Sequence, residues 1–126
     1  MTDVNNFSLD KNVIKALTTT AATATVINTA EVFKIAPTKR DDDFILLIKN
    51  TSGANGSVTF SLEQGDFWAS PSIPLTGTVV QGATALLRIE SAKYLQGDGT
   101  LLLTVTPATG KILLTDHALE VGIIQI

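Results

Sequence analysis

Short apolar runs, each closed by turn-forming residues, recur along most of this chain. Residues 44–48 form a continuous apolar run, whereas residues 57–64 and 100–106 alternate apolar and polar side chains. A period of two places successive side chains on opposite faces of a strand, and Gly, Pro, Asn and Asp favour the turns between strands. The pattern predicts an all-β fold, an antiparallel β-sandwich of jelly-roll or immunoglobulin-like type with about eight short strands.

The expected strands follow one another at short intervals. They cover residues 25–28, 31–36, 44–48, 57–64, 76–80, 83–90, 100–106, 111–115 and 119–126, and the first two are either separate strands or one strand with a bulge. Residues 1–24 differ, because partial helical spacing over 4–17 is followed by a connector of small residues over 18–24. We therefore expect an N-terminal arm or tail over 1–24 and a sandwich domain over 25–126.

The last expected strand is apolar on both of its faces. Leu119, Val121 and Ile123 would point one way, and Gly122, Ile124 and Ile126 the other. An exposed edge strand of this composition invites aggregation. We expect either that this strand is central in its sheet or that one of its faces packs against another subunit.

Charge and cysteine content exclude several classes of function. Nine Lys and Arg residues stand against twelve Asp and Glu, the net charge is −3, and only Lys39 and Arg40 are adjacent. Nucleic-acid binding needs a basic stripe, so we expect no nucleic-acid partner. The absence of cysteine excludes disulfides, thiolate ligands and cysteine nucleophiles. Without a secretory signal or an apolar stretch of ~18 residues, we expect synthesis in the cytoplasm and no membrane partner.

No group of residues has the spacing of a catalytic or metal site. His117 is the only histidine, and without cysteine or a nucleophile-elbow sequence we expect a loop or turn histidine with no catalytic role. The consecutive aspartates 41–43 differ from calcium loops, which place their acids at alternate positions, so a solvated loop is the favoured interpretation. We predict that the protein is not an enzyme and has no catalytic residue, cofactor or metal.

Three aromatic residues could contact a ligand. Phe67, Trp68 and Tyr94 could stack on sugar rings, as aromatic side chains do in carbohydrate-binding modules. Aromatic residues make up only 6% of the chain, so Trp68 is favoured as a core or interface anchor instead. A carbohydrate-binding module is retained as an alternative function.

The order of segments over residues 30–126 is similar to that of a known class of proteins. The segments are Leu-Ile-Lys-Asn with a Ser-Gly loop (47–53), Val-Thr-Phe-Ser-Leu ending in Gly-Asp (58–66), Gly-Ala-Thr (82–84), Ile-Glu-Ser-Ala-Lys-Tyr (89–94), Gly-Asp-Gly-Thr (97–100) and Thr-Val-Thr-Pro-Ala-Thr-Gly (104–110). This layout resembles small virion proteins of tailed bacteriophages, of the capsid decoration or cement type. The resemblance implies a sandwich domain, often a homotrimer, that sits on the capsid exterior and clamps the major capsid protein, with an N-terminal arm reaching across the shell.

Apolar residues are the expected contacts with these partners. We predict that Phe7, Leu9, Val13 and Ile14 of the arm contact the shell, and that Ile124 and Ile126 mediate self-association. Binding would depend on buried area, for which a specific interface buries ~1,600 Å² in total. A different phage head or tail accessory protein, such as a fibre component, is the second alternative.

Overall fold

Two β-sheets make up the regular structure of the chain. The computed structural model describes residues 1–38, 44–51, 54–65, 74–89 and 94–125. Its strands are β1 (Thr2–Asp3), β2 (Thr20–Ala21), β3 (Glu31–Ile35), β4 (Phe44–Asn50), β5 (Val58–Leu62), β6 (Leu75–Val79), β7 (Ala83–Arg88), β8 (Leu101–Thr106) and β9 (Glu120–Gln125). Sheet A has the order β1-β3-β8-β5-β6 and sheet B the order β2-β9-β4-β7. All these strand pairs are antiparallel except β1–β3, which confirms the predicted all-β antiparallel sandwich.

Alternating side chains from both sheets form one core. In sheet A the inward residues of β8 are Leu101, Leu103 and Val105, all fully buried. Leu46 and Ile48 of β4 belong to the same cluster from the side of sheet B. Burying a Leu, Ile or Val side chain stabilises a fold by about 1.5–3 kcal/mol. The apolar side chains that recur at every second position therefore hold the two sheets together.

Strand β9 is internal to its sheet. It pairs with β4 on one side and with β2 on the other. Val121 and Ile123 face the core, whereas Gly122 lies on the outer face under Thr19, whose Cγ2 is 3.2 Å from the position that a Cβ at Gly122 would occupy. The first of the two expectations for this strand, a central position, accounts for its apolar character.

Two of the expected strands are turns instead. Val26 and Ile27 are exposed, and Asn28 adopts a positive φ of 58° while its side chain accepts a hydrogen bond from the Gly110 N–H. Residues 111–115 lead into a turn in which the Asp116 N–H donates to the Ile112 carbonyl and the Asp116 carboxylate accepts from the Ile112 N–H. In both places side-chain hydrogen bonds to the backbone outweigh the strand propensity of Val and Ile.

Residues 1–24 contribute strands to both sheets. β1 pairs with β3, and β2 pairs with β9. The residue that follows each short strand, Val4 after β1 and Ala22 after β2, is buried in the core. The buried carboxylate of Glu31 accepts hydrogen bonds from Thr2 Oγ1 and from the N–H groups of Thr23 and Ala24, which joins the two ends of this segment. A separate arm is not seen, and the use of the segment as an arm on a shell stays a prediction.

Candidate protein-binding surface

The outer face of sheet B is apolar over two of its rows, apart from Arg88 at the end of the second row. Antiparallel register places Leu47 beside Gly122 and Leu86, and Ile45 beside Ile124 and Arg88. Leu47 is 4% exposed, Ile45 and Ile124 are half-buried, and Leu86 is 62% exposed. A third row is polar, with an ion pair of 3.6 Å between Lys49 Nζ and Glu120 Oε2. The apolar surface therefore ends at a charged border.

Residues 9–18, here called the N-terminal loop, are attached to β9 at both ends. At the start of the loop, the Phe7 carbonyl accepts from the Gln125 N–H at 2.9 Å, and the Leu9 N–H donates to the Gln125 carbonyl at 2.7 Å. After the loop, Thr19 Oγ1 donates to Glu120 Oε1 at 2.5 Å. These bonds fix the position of the loop relative to the outer face of sheet B.

Polar contacts also shape the loop internally. Lys15 Nζ lies 2.6 Å from Asp10 Oδ2 and donates to the Ser8 carbonyl at 2.9 Å. Asn12 adopts a positive φ of 61°, a conformation that Asn tolerates better than most residues. An exposed ion pair contributes only about 0–1 kcal/mol. Its effect here is to restrict the loop, and restriction before binding lowers the entropy lost on association.

Most of the predicted shell contacts are exposed on this loop. Ile14 is fully exposed, Val13 is 52% exposed and Leu9 is 39% exposed, whereas Phe7 is half-buried. Leu17, at 44% exposure, belongs to the same loop and was not among the predicted residues. Its place in the spacing Val13, Ile14, Leu17 was the signal that could have identified it. Large apolar side chains grouped on a surface mark interaction sites more often than isolated ones do.

The other outer face of the sandwich has a different chemistry. On sheet A, Thr59 lies between Thr78 and Thr106, and the row beside it is also made of hydroxyl side chains, Ser61 flanked by Thr76 and Thr104. Hydroxyl groups of this kind are well solvated and bury little apolar area. The two faces thus differ in polarity, with hydroxyl side chains on the outer face of sheet A and apolar side chains on the outer face of sheet B.

His117 is buried in a hydrogen-bonded cluster at one end of the sandwich. Its Nε2 accepts from the Ala108 N–H at 3.1 Å, so its Nδ1 carries the proton and donates to Asn50 Oδ1 at 3.1 Å. The Asn50 amide in turn donates to the carbonyls of Gly56 and Val79. Burial lowers the pKa of His117 below 6.5, an effect that Asp116 opposes and Lys111 reinforces. The ring lies in a turn, as predicted, and the cluster connects four chain segments.

The predicted aromatic trio is only partly within the described residues. Tyr94 is half-buried and packs against the core. Phe67 and Trp68 lie outside the described residues, as do Ile126 and the aspartates 41–43. Ligand stacking by the trio therefore stays a prediction.

Membrane-spanning helices and metal-ion clusters are both absent from the described part of the chain. It contains no helix long and apolar enough to cross a bilayer. Within the same residues no three His, Asp or Glu side chains are grouped in a way that could hold a metal ion.

Comparison with known proteins identified no relative. No protein-family model, curated protein sequence or solved structure matches the chain. The resemblance to decoration proteins stays a prediction from the sequence.

Proposed function

We propose that this protein is a non-enzymatic structural protein of a tailed-phage virion, a decoration protein that binds the major capsid protein on the capsid exterior. The observation that carries the proposal is the N-terminal loop, which is attached to β9 of sheet B at both ends and exposes Val13, Ile14 and Leu17. We call this loop, together with the half-buried Ile45 and Ile124 of sheet B, the docking surface. The segment order of the sequence supports the phage assignment.

The docking surface is suited to binding through buried apolar area. Each exposed Val, Ile or Leu side chain that becomes fully buried contributes about 1.5–3 kcal/mol before the costs of association. Lys15 and Asn12 already restrict the loop, so less conformational entropy is lost when it binds. Repetition of the contact over a symmetric shell would add avidity without further contacts.

The test is co-sedimentation with capsids assembled from the major capsid protein of the source virus and free of this protein. Val13→Asp and Ile14→Asp should each weaken binding by roughly tenfold or more, because a charge would be buried in an apolar contact. Ile27→Asp is the matched control, since Ile27 is 54% exposed against 52% for Val13 and lies outside the docking surface.

The control variant separates loss of the docking contact from a general effect of adding an aspartate to the surface. Ile27→Asp should bind like the unmodified protein, and all variants should keep the same thermal transition. Equal binding by Val13→Asp, Ile14→Asp and the unmodified protein would exclude the docking surface. Failure of the unmodified protein to bind capsids, with binding to a polysaccharide in a fluorescence titration, would favour the carbohydrate-binding alternative.

A further inference from the structure

The loop between β4 and β5 contains the only Asn-Gly pair of the chain, Asn55 and Gly56. Glycine has no Cβ to shield its backbone nitrogen, and its backbone is the least restricted of all residues. An asparagine that precedes glycine is therefore the one most open to attack on its side-chain amide by the next backbone nitrogen. Both residues are only half-buried, so water can reach them.

Hydrogen bonds hold both of the groups that would react. The Gly56 N–H donates to Gln81 Oε1 at 2.9 Å, and Asn55 Nδ2 donates to the Asp116 carbonyl at 2.7 Å. The Gly56 carbonyl accepts from Asn50 Nδ2 at 3.0 Å, which fixes the peptide from its other side. Attack requires the Gly56 nitrogen to lose its proton and to approach Cγ of Asn55. The bonds to Gln81 and Asp116 must therefore open first.

We infer that Asn55 is a site of spontaneous deamidation and that the hydrogen bonds of this loop set its rate. The Gly56 nitrogen gives its proton to solvent and attacks Cγ of Asn55, so that a new C–N bond closes a five-membered succinimide. The bond from Cγ to Nδ2 breaks, and the nitrogen takes up a proton and leaves as ammonia. Water then opens the ring at one of its two carbonyls and yields aspartate or isoaspartate at position 55.

Neither product can restore the contact with Asp116. A carboxylate at position 55 has no N–H for the Asp116 carbonyl, and its oxygens would repel that oxygen at the present distance of 2.7 Å. Isoaspartate also lengthens the main chain within a loop that Thr51 Oγ1 attaches to the Ala118 carbonyl at 3.3 Å. Deamidation should therefore release the loop from the turn that carries His117. The change is irreversible, so modified molecules accumulate with age.

This chemistry is independent of capsid binding. Asn55 and Gly56 lie outside the docking surface, and water is the only co-reactant. A failure of the capsid experiment would leave deamidation unaffected, and the reverse also holds.

Peptide mapping by mass spectrometry tests the site and its protection. The full chain is incubated in mildly alkaline buffer, and deamidation is followed at each asparagine. Asn55 should react at least roughly tenfold faster in guanidinium chloride than in the folded protein, because unfolding opens every bond of the loop. Asn12 is the internal control: it is exposed and precedes the β-branched Val13, so its rate should be low in both conditions.

A substitution at Gln81 tests whether the hydrogen bonds set the rate. Gln81→Leu removes the acceptor of the Gly56 N–H and should speed deamidation at Asn55 in the folded protein by roughly two- to tenfold, the effect of losing one hydrogen bond on the open population. Gln81→Glu keeps an acceptor oxygen and should retain most of the protection. Gln64→Leu is the matched control, since Gln64 is also exposed but lies at the opposite end of β5, and it should leave the rate unchanged.

Two results would overturn the inference. One is an Asn55 that stays intact in the unfolded chain or reacts equally fast in the folded and unfolded chains. The other is a Gln81→Leu variant whose rate at Asn55 equals that of Gln64→Leu.

The variant Asn55→Asp tests the consequence of the reaction directly. It should speed hydrogen exchange at the amides of Asp116 and His117, which donate to the Ile112 carbonyl within the released turn. Asn6→Asp adds the same charge at an exposed position of the N-terminal segment and should leave these amides unchanged. Equal exchange in the two variants would contradict the release of the turn.

Discussion

His117 shows how a single buried side chain makes stability depend on pH. Both of its ring nitrogens are used in neutral form, and protonation would place a second N–H donor against the Ala108 N–H. Burial is the main reason that the pKa is lowered in the folded protein, whereas the unfolded chain titrates near 6.5. The unfolded state therefore binds more protons than the folded state in the interval between the two pKa values.

The expected result is a loss of stability in mild acid. The free energy of unfolding should be independent of His117 above pH 6.5 and should fall as the pH drops below that value, until the folded pKa is reached. Denaturant midpoints measured between about pH 7.5 and pH 5 would show the slope. In His117→Gln the side-chain oxygen can still accept from Ala108, and this variant should lack that part of the slope. An identical slope in the unmodified protein and in His117→Gln would mean that carboxylates, and not His117, cause the loss of stability.

The Phe60 ring packs closely over Gly77, its cross-strand neighbour on β6. A Cβ built at Gly77 would lie 2.7 Å from the Phe60 ring, closer than real Cβ contacts allow. Gly77→Ala should lower the free energy of unfolding by about 1–3 kcal/mol, because overpacking forces the ring or the strand to move. Phe60→Leu should reduce this penalty in the double variant, as a double-mutant cycle by denaturant unfolding would measure. Strict additivity of the two substitutions would contradict the contact.

At the scale of elements, Glu31 connects the N-terminal segment to the sheets. Its carboxylate holds Thr2 of β1 and the N–H groups that follow β2, so one side chain attaches both short strands. Glu31→Ala should leave these donors without an acceptor and detach the segment, while the long strands keep their pairing. In hydrogen exchange the amides of Val4 and Ala22 should exchange faster, and those of β4 should be unchanged. Glu31→Gln keeps an acceptor oxygen and should have a smaller effect.

Element by element, the sequence predicts most of the sandwich and misses what is held by side chains. Strands β3 to β9 follow from alternation and turn residues, and the outward position of Leu86 follows from the inward position of Ala85 and Leu87. Residues 25–28 and 111–115 have strand propensity, but Asn28 and Asp116 stabilise turns there. β1 and β2 were not predicted because two-residue strands have no period, and their pairing depends on residues far away in the chain.

At the scale of the whole molecule, the two outer faces of the sandwich differ in polarity. The hydroxyl rows of sheet A remain compatible with water, whereas sheet B and the N-terminal loop present apolar area. The sequence predicted Leu9, Val13 and Ile14 as contact residues because they are large apolar side chains in an otherwise polar segment. It could not predict that β9 would hold the loop beside sheet B, since that position depends on the tertiary pairing of Gln125 and Glu120.

The pairing of β2 with β9 also has a consequence for biosynthesis. Thr20 meets Val121, a residue translated much later in the same chain. Ribosomes add about 5–20 residues per second, so roughly 5–20 s separate the appearance of these two residues. During that interval β2 has no strand to pair with, and the nascent chain leaves the exit tunnel with sheet B incomplete. Sheet B is therefore expected to be completed only after β9 has been synthesised, in a late step that joins early and late segments.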